Sequence, residues 1–180
     1  ITNDISKAVV NIIPISEIKF ANGETLSFEE IRKLALIGSD NADTTSGYMD
    51  MDNFIDAKAG NDTIYGGDKN DTLIGGTGND TLNGGNGDDT YIYNLGDGVD
   101  TITETNGNDT IKFGEGILKE DLIVQKVNNN SLKISFKNSS GSLMLNYVIS
   151  NNNCAIENFE FKNGDKLSFD DIKKLSLIGL

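Results

Sequence analysis

The amino-acid sequence predicts an all-β chain organised around a parallel β-solenoid, flanked by small β-rich capping modules with short helices. Three observations predict it. Between Ala57 and Ile92 one nine-residue unit occurs four times in succession: AKAGNDTIY, GGDKNDTLI, GGTGNDTLN and GGNGDDTYI. Each unit places an acid at its sixth position (Asp62, Asp71, Asp80, Asp89) and a large apolar residue at its eighth (Ile64, Leu73, Leu82, Tyr91). The composition suits stacked turns better than a packed globule, with 20 glycines in 180 residues and only 37% hydrophobic side chains.

Each half of the unit has its own physical reading. The glycine-rich half favours tight turns with positive φ. The second half, such as Thr72-Leu73-Ile74, is short, β-branched and apolar, and reads as a brief strand. Neighbouring side chains in a strand face opposite ways, so the eighth-position residues line one side. Turn and strand repeated make a flat coil, a β-roll, with two units per revolution and strands stacking in parallel. One large inward side chain per unit does not offset the entropy of fixing nine residues. The acids point to the missing contribution. Units two apart share an edge, which stacks Asp62 under Asp80 and Asp71 under Asp89, in a chain of formal charge −13. A hard cation with an oxygen shell of six to eight ligands, Ca²⁺, turns that repulsion into attraction. Metal binding and folding are then one event.

On these residues the chain resembles the RTX (repeats-in-toxin) family of haemolysin-type calcium-binding nonapeptide repeats, with consensus Gly-Gly-x-Gly-x-Asp-x-apolar-x. The units at Gly75 and Gly84 fit throughout. The unit at Gly66 carries Lys69 in place of the fourth glycine, and the unit at Ala57 has Ala57 and Lys58 for its glycine pair. The resemblance implies that each ion takes the second and fourth carbonyls plus the Asp of one turn, and the first and third carbonyls plus the Asp of the turn two units later. It thereby implies one site of Lys58, Gly60 and Asp62 with Gly75, Thr77 and Asp80. The next is Gly67, Lys69 and Asp71 with Gly84, Asn86 and Asp89. Gly76, Gly78, Gly85 and Gly87, at second and fourth positions of later units, join the candidate ligands.

The repeat frays in both directions. Downstream, Asp100 and Asp109 keep the acid position after a two-residue insertion before Leu95. Upstream, Asp43 and Asp52 end degenerate units, with one residue too many before Asp62. All four are candidate ligands. Asp50-Met51-Asp52 lacks the following Gly and closing Glu of an EF-hand.

A longer repeat brackets the roll. Phe20 to Gly38 recurs as Phe161 to Gly179, each copy opening on Asn-Gly, a hairpin signal, and continuing through Ser27…Glu30 or Ser168…Asp171, which read as capping boxes. Residues 1–38 are expected to end a preceding capping module, 39–113 to form the roll, and 114–180 to form a capping module ending in a short helix. Strands near Leu132–Phe136, Leu143–Val148 and Ile156–Phe161 are expected to be antiparallel, and residues 111–172 resemble the module that often follows such rolls. The duplication suggests a slice of a larger protein.

Several function classes are disfavoured. The chain has no His, which removes Ser-His-Asp and Cys-His catalysis and most zinc sites. Acids held ionised by a cation are unsuited to general acid work, so no enzymatic role is expected. So acidic a surface is a poor partner for nucleic acid or anionic membranes, and no segment is apolar enough for membrane insertion. Cys154 is alone and reads as a small hydrophobe. The resemblance implies a monomeric, secreted or cell-surface bacterial module, exported by type I secretion machinery as part of a toxin, adhesin or exoenzyme. The alternative is a calcium-rigidified spacer of a giant adhesin or surface-layer protein.

Overall fold

The computed structural model describes residues 16–104, 106–137, 139–146 and 156–178, in two compact units, Ile1–Leu34 and Ala35–Leu180. In the first unit, β1 (Glu17–Lys19) and β2 (Thr25–Ser27) form an antiparallel pair. Their turn closes at Gly23, whose φ of 89° suits a residue without a Cβ. Helix α1 (Phe28–Leu34) opens on the capping box read from the sequence. Ser27 N–H donates to Glu30 Oε2 at 2.7 Å, and Glu30 N–H donates to Ser27 Oγ at 3.3 Å.

The second unit is a β-roll. Strands β3 (Thr44–Ser46), β5 (Thr63–Gly67), β7 (Thr81–Gly85) and β9 (Val99–Thr103) stack in parallel in one sheet. Strands β4 (Phe54–Asp56), β6 (Thr72–Ile74), β8 (Thr90–Tyr93) and β10 (Thr110–Phe113) stack in parallel in the other. The register pairs equivalent positions: Thr63 lies opposite Thr81, and Thr72 opposite Thr90, which lies opposite Thr110. Period-two alternation turns the eighth-position residues inward. Ile55, Ile64, Leu73, Leu82, Tyr91, Ile102 and Ile111 are each at most 2% exposed.

The two extra residues before Leu95 lengthen β8 by one inward side chain, Tyr93. They then close a turn in which Asn94 N–H donates to Asp97 Oδ2 at 2.6 Å. Tyr93 and Phe113 widen the core, where Tyr93 stacks on Phe136 at 5.3 Å and Phe113 meets Phe161 at 5.0 Å.

The C-terminal strands are not all antiparallel. β11 (Leu122–Asn128), β12 (Ser131–Phe136) and β13 (Ser142–Asn146) form an antiparallel meander, but β13 also runs parallel to β9, with Ser142 opposite Val99. β14 (Asn158–Phe161) pairs in parallel with β10, Asn158 opposite Thr110, and antiparallel with β15 (Lys166–Ser168). The last rung of a roll presents an unpaired edge on each sheet. β13 and β14 each pair with one of these edges and so add a further turn, which local alternation could not reveal. Helix α2 (Phe169–Ile178) follows its own capping box and buries Ile172 completely. Val148, the expected end of β13, and Cys154 both lie outside the described residues.

Among the described residues, Lys58 alone holds a positive φ without being glycine, at 78°. Lys69, the other expected strained position, avoids that region. A left-handed side chain costs about 1–2 kcal/mol, offset in part by the entropy of a glycine replacement. Lys58→Gly should therefore exceed Lys58→Ala in stability by about 1 kcal/mol in a denaturant titration, both variants losing the same surface pair with Asp56.

Candidate metal centre

The stacked turns fix one oxygen of each sixth-position acid. Along one edge, Asp43 N–H donates to Asp62 Oδ1, Asp62 N–H to Asp80 Oδ1, and Asp80 N–H to Asp100 Oδ1, at 2.7, 2.8 and 3.0 Å. Along the other, Asn53 N–H donates to Asp71 Oδ1, Asp71 N–H to Asp89 Oδ1, and Asp89 N–H to Asp109 Oδ1, at 2.7, 2.7 and 2.8 Å. The second oxygens are different. Oδ2 of Asp62, Asp71, Asp80, Asp89 and Asp109 is buried with no hydrogen-bond partner. Buried acceptors without donors are rare and costly, and five equivalent ones in register fit a cation-binding role.

The turn carbonyls lie where the acids are. A Cβ at Gly76 or Gly78 would fall 1.8 Å from Lys58 O or 1.6 Å from Gly60 O, and one at Gly85 or Gly87 2.2 Å from Gly67 O or 2.5 Å from Lys69 O. The second and fourth carbonyls of one turn thus press on the same positions two units later. A Cβ at Gly75 or Gly84 would fall 2.3 Å from Asp80 Oδ2 or 2.1 Å from Asp89 Oδ2, so glycine at the first position gives the acid its room. Some carbonyls also link turns: Lys58 O accepts from Thr77 N–H, Thr77 O from Gly60 N–H, and Gly67 O from Asn86 N–H, at 2.9, 2.9 and 3.0 Å. Each keeps a second lone pair. The side chain of Asn86 points elsewhere, donating to Asp68 Oδ1 at 2.8 Å.

Asp52 is out of register. The residue in excess lies inside the turn from Gly47, which moves Asn53 to the sixth position, while Asp52 is exposed and accepts from Asn70 N–H at 3.2 Å. Asn53 is buried, and its Nδ2 donates to Asp71 Oδ1 at 2.8 Å. Asp43 keeps the register, but its Oδ2 is already satisfied by Ser39 N–H and Oγ at 2.7 and 2.9 Å.

Other members of the array were not legible. Glu157, 48 residues beyond Asp109, accepts from Asp109 N–H through Oε2 at 2.8 Å and so stands where the next turn's Asp would stand. Glu104 is 1% exposed beside Asp89 and Asp109. A parallel row occupies the fifth positions: Asn79 N–H donates to Asn61 Oδ1, Asp88 N–H to Asn70 Oδ1, and Asn108 N–H to Asp88 Oδ1. The recurrent Asn and Asp before each acid were the available signal for that row.

Burial, opposed by the donated N–H and reinforced by neighbouring carboxylates, raises the acids' proton affinity. Asp80 is pushed up to about 6, Asp100 and Asp109 to about 7, and Asp89 to about 8, with Glu104, Asp71 and Asp109 the charges acting on Asp89.

Fold and site together define a calcium-binding solenoid: parallel turns carrying a row of buried acids under backbone carbonyls. Residues 49–68 and 65–102 match the RTX calcium-binding nonapeptide repeat, in four copies, a repeat that binds Ca²⁺. No curated protein matches the chain. Among solved structures, it is similar to a subunit of the mannuronan C5-epimerase of Azotobacter vinelandii, with 25% identity over 61% of this chain and 72% of that one (TM-score 0.46). It is also similar to the extracellular lipase LipA of Serratia marcescens, with 20% identity over 79% of this chain and 22% of that one (TM-score 0.49). No helix among the described residues is long and apolar enough to cross a membrane.

Without calcium the pH dependence has a definite sign. These acids bind more protons folded than unfolded between their ordinary value of 3.8 and about 8, so folded stability falls as pH rises through that window. In chelator, β-sheet circular dichroism should strengthen on acidification from pH 8 towards pH 4. In saturating calcium the trend should reverse, because protons then compete with the ion.

Proposed function

We propose that the chain is a calcium-gated folding module of a larger exported bacterial protein. The observation that carries this reading is the row of buried, partnerless Oδ2 atoms, a set of acceptors that repel one another until a divalent ion joins them. In this reading Lys58, Gly60 and Asp62 with Gly75, Thr77 and Asp80 hold one ion. Gly67, Lys69 and Asp71 with Gly84, Asn86 and Asp89 hold the next, each through carbonyl and carboxylate oxygens. Gly76 and Gly78 with Asp100, and Gly85 and Gly87 with Asp109, continue the series.

In a cytosol poor in calcium, the acidic, glycine-rich turns stay open and the chain remains fit for type I export. Outside, where calcium is about millimolar, sites of the extracellular class with Kd on the order of 10⁻⁴–10⁻³ M fill. Each ion that binds only the folded state adds RT ln(1 + [Ca²⁺]/Kd) to its stability. Neighbouring ions share turns, which makes filling cooperative. The module performs no catalysis of its own in this reading and acts as a monomer at the cell surface or beyond.

A second reading, a spacer that calcium stiffens within a long adhesin, is favoured by the duplicated frame Phe20–Gly38 and Phe161–Gly179. Both readings use the same site. A calcium-dependent contour length and stiffness under force would distinguish the spacer from a module serving export.

A calcium titration followed by far-ultraviolet circular dichroism tests the gating. The expected result is a steep, chelator-reversible gain of β signal that magnesium does not reproduce. Asp71→Ala and Asp80→Ala should each move the midpoint to higher calcium, on the order of tenfold. A spectrum indifferent to chelator would refute the gate.

A further inference from the structure

Glu104 breaks the pattern of the roll. It holds the first position of the unit ending in Asp109, where earlier units carry Gly66, Gly75 and Gly84. Its side chain turns inward and is 1% exposed. A carboxylate oxygen of Asp89, Glu104 and Asp109 each lies within 4.8 Å of the others. Gly84 leaves the space they share: a Cβ there would fall 2.1 Å from Asp89 Oδ2 and 2.6 Å from Glu104 Oε2. The buried Oδ2 atoms of Asp89 and Asp109 have no hydrogen-bond partner, an observation separate from the clustering and one that points to a missing ligand.

Tyr91 holds the cluster in place. This residue fills the inward eighth position with a hydroxyl where the earlier units have Ile or Leu. The hydroxyl donates to Glu104 Oε2 and accepts from Gly84 N–H at 2.7 Å. A buried phenol that holds the carboxylate of an acid already crowded by two others fixes where its oxygens can meet a metal ion.

We infer that Asp89, Glu104 and Asp109 bind one Ca²⁺ through three side-chain carboxylates, with Tyr91 as the positioning residue for Glu104. The inference rests on the calcium-dependent reading above and adds to it a site richer in charge than the repeat alone supplies. Calcium affinity rises with the number of charged ligands, so this ion binds ahead of the others. It also lies on the rung to which β14 pairs, through Asp109 and Glu157. The first ion therefore orders the junction between roll and C-terminal strands.

Calcium calorimetry on the whole chain tests this with two substitutions. Glu104→Gln keeps the size of the side chain and an acceptor for Tyr91 while removing the charge. Glu104→Gly restores the residue of the regular units. The unchanged protein should show one ion bound about tenfold more tightly than the rest, and both variants should lose that tight phase. The later ions and the calcium-induced β signal should persist, which also shows that the variants fold. An isotherm in either folded variant that superimposes on that of the unchanged protein would overturn the Glu104 site and leave the gated roll standing. An unchanged protein that binds no calcium would overturn both.

Discussion

The fold depends on how each sixth-position carboxylate divides its two oxygens. One is tied to the backbone N–H of the turn stacked beneath it, as Asp80 Oδ1 is to Asp62 N–H, and this bond sets the register of the whole solenoid. In Asp62, Asp71, Asp80, Asp89 and Asp109 the other is buried with no donor to meet it. The first oxygen makes the structure specific and the second makes it conditional, because a column of buried anions is unfavourable unless protons or cations join it. Stacking and ion binding are two consequences of one side chain.

The column tolerates changes that preserve this division of labour. Asp80 and Asp100 are twenty residues apart rather than eighteen, yet the same hydrogen bond forms, because the extra residues go into Tyr93 and the turn at Asn94–Asp97. Asn53 replaces an acid at the start of one column and still engages Asp71 through its own N–H and amide. The amide also closes its own turn there, its Oδ1 accepting from Tyr48 N–H and its Nδ2 donating to Tyr48 O, each at 2.9 Å. Lys58 shows the limit on the backbone side. The turn keeps its left-handed second position at the cost of strain, because the carbonyl of that residue, not its side chain, meets Thr77.

Much of this was legible from the sequence because the signal is periodic. A nine-residue spacing fixed the turns, the inward row from Ile64 to Tyr91 and the four central acids without any long-range information. Register at the frayed end was less visible: Asp52 and Asn53 are adjacent, and only packing of the turn from Gly47 decides which faces inward. Glu157 could not be found from spacing, since an antiparallel meander separates it from Asp109. The same excursion concealed the parallel pairing of β13 and β14, whose local alternation reads as an ordinary hairpin strand. Glu104 stood at a glycine position, and a pattern search weights what a position usually holds over what an exception adds.

The two copies of the capping frame show what distinguishes a frame from a junction. In both, the residue four before the hairpin phenylalanine accepts a backbone bond from the first residue of the helix: Phe28 N–H to Ser16 O at 2.9 Å and Phe169 N–H to Glu157 O at 3.0 Å. The backbone is the same and the side chain differs. Where the frame pairs with the end of the roll, that position carries an acid that takes the N–H of Asp109; in the other copy it is serine. The strand, turn and helix are therefore generic, and a single carboxylate continues the column of acids into the C-terminal strands. The charge on that carboxylate is raised in proton affinity by burial, opposed by the Asp109 bond. It faces the same requirement as every acid beneath it, which couples the end of the roll to whatever satisfies the column.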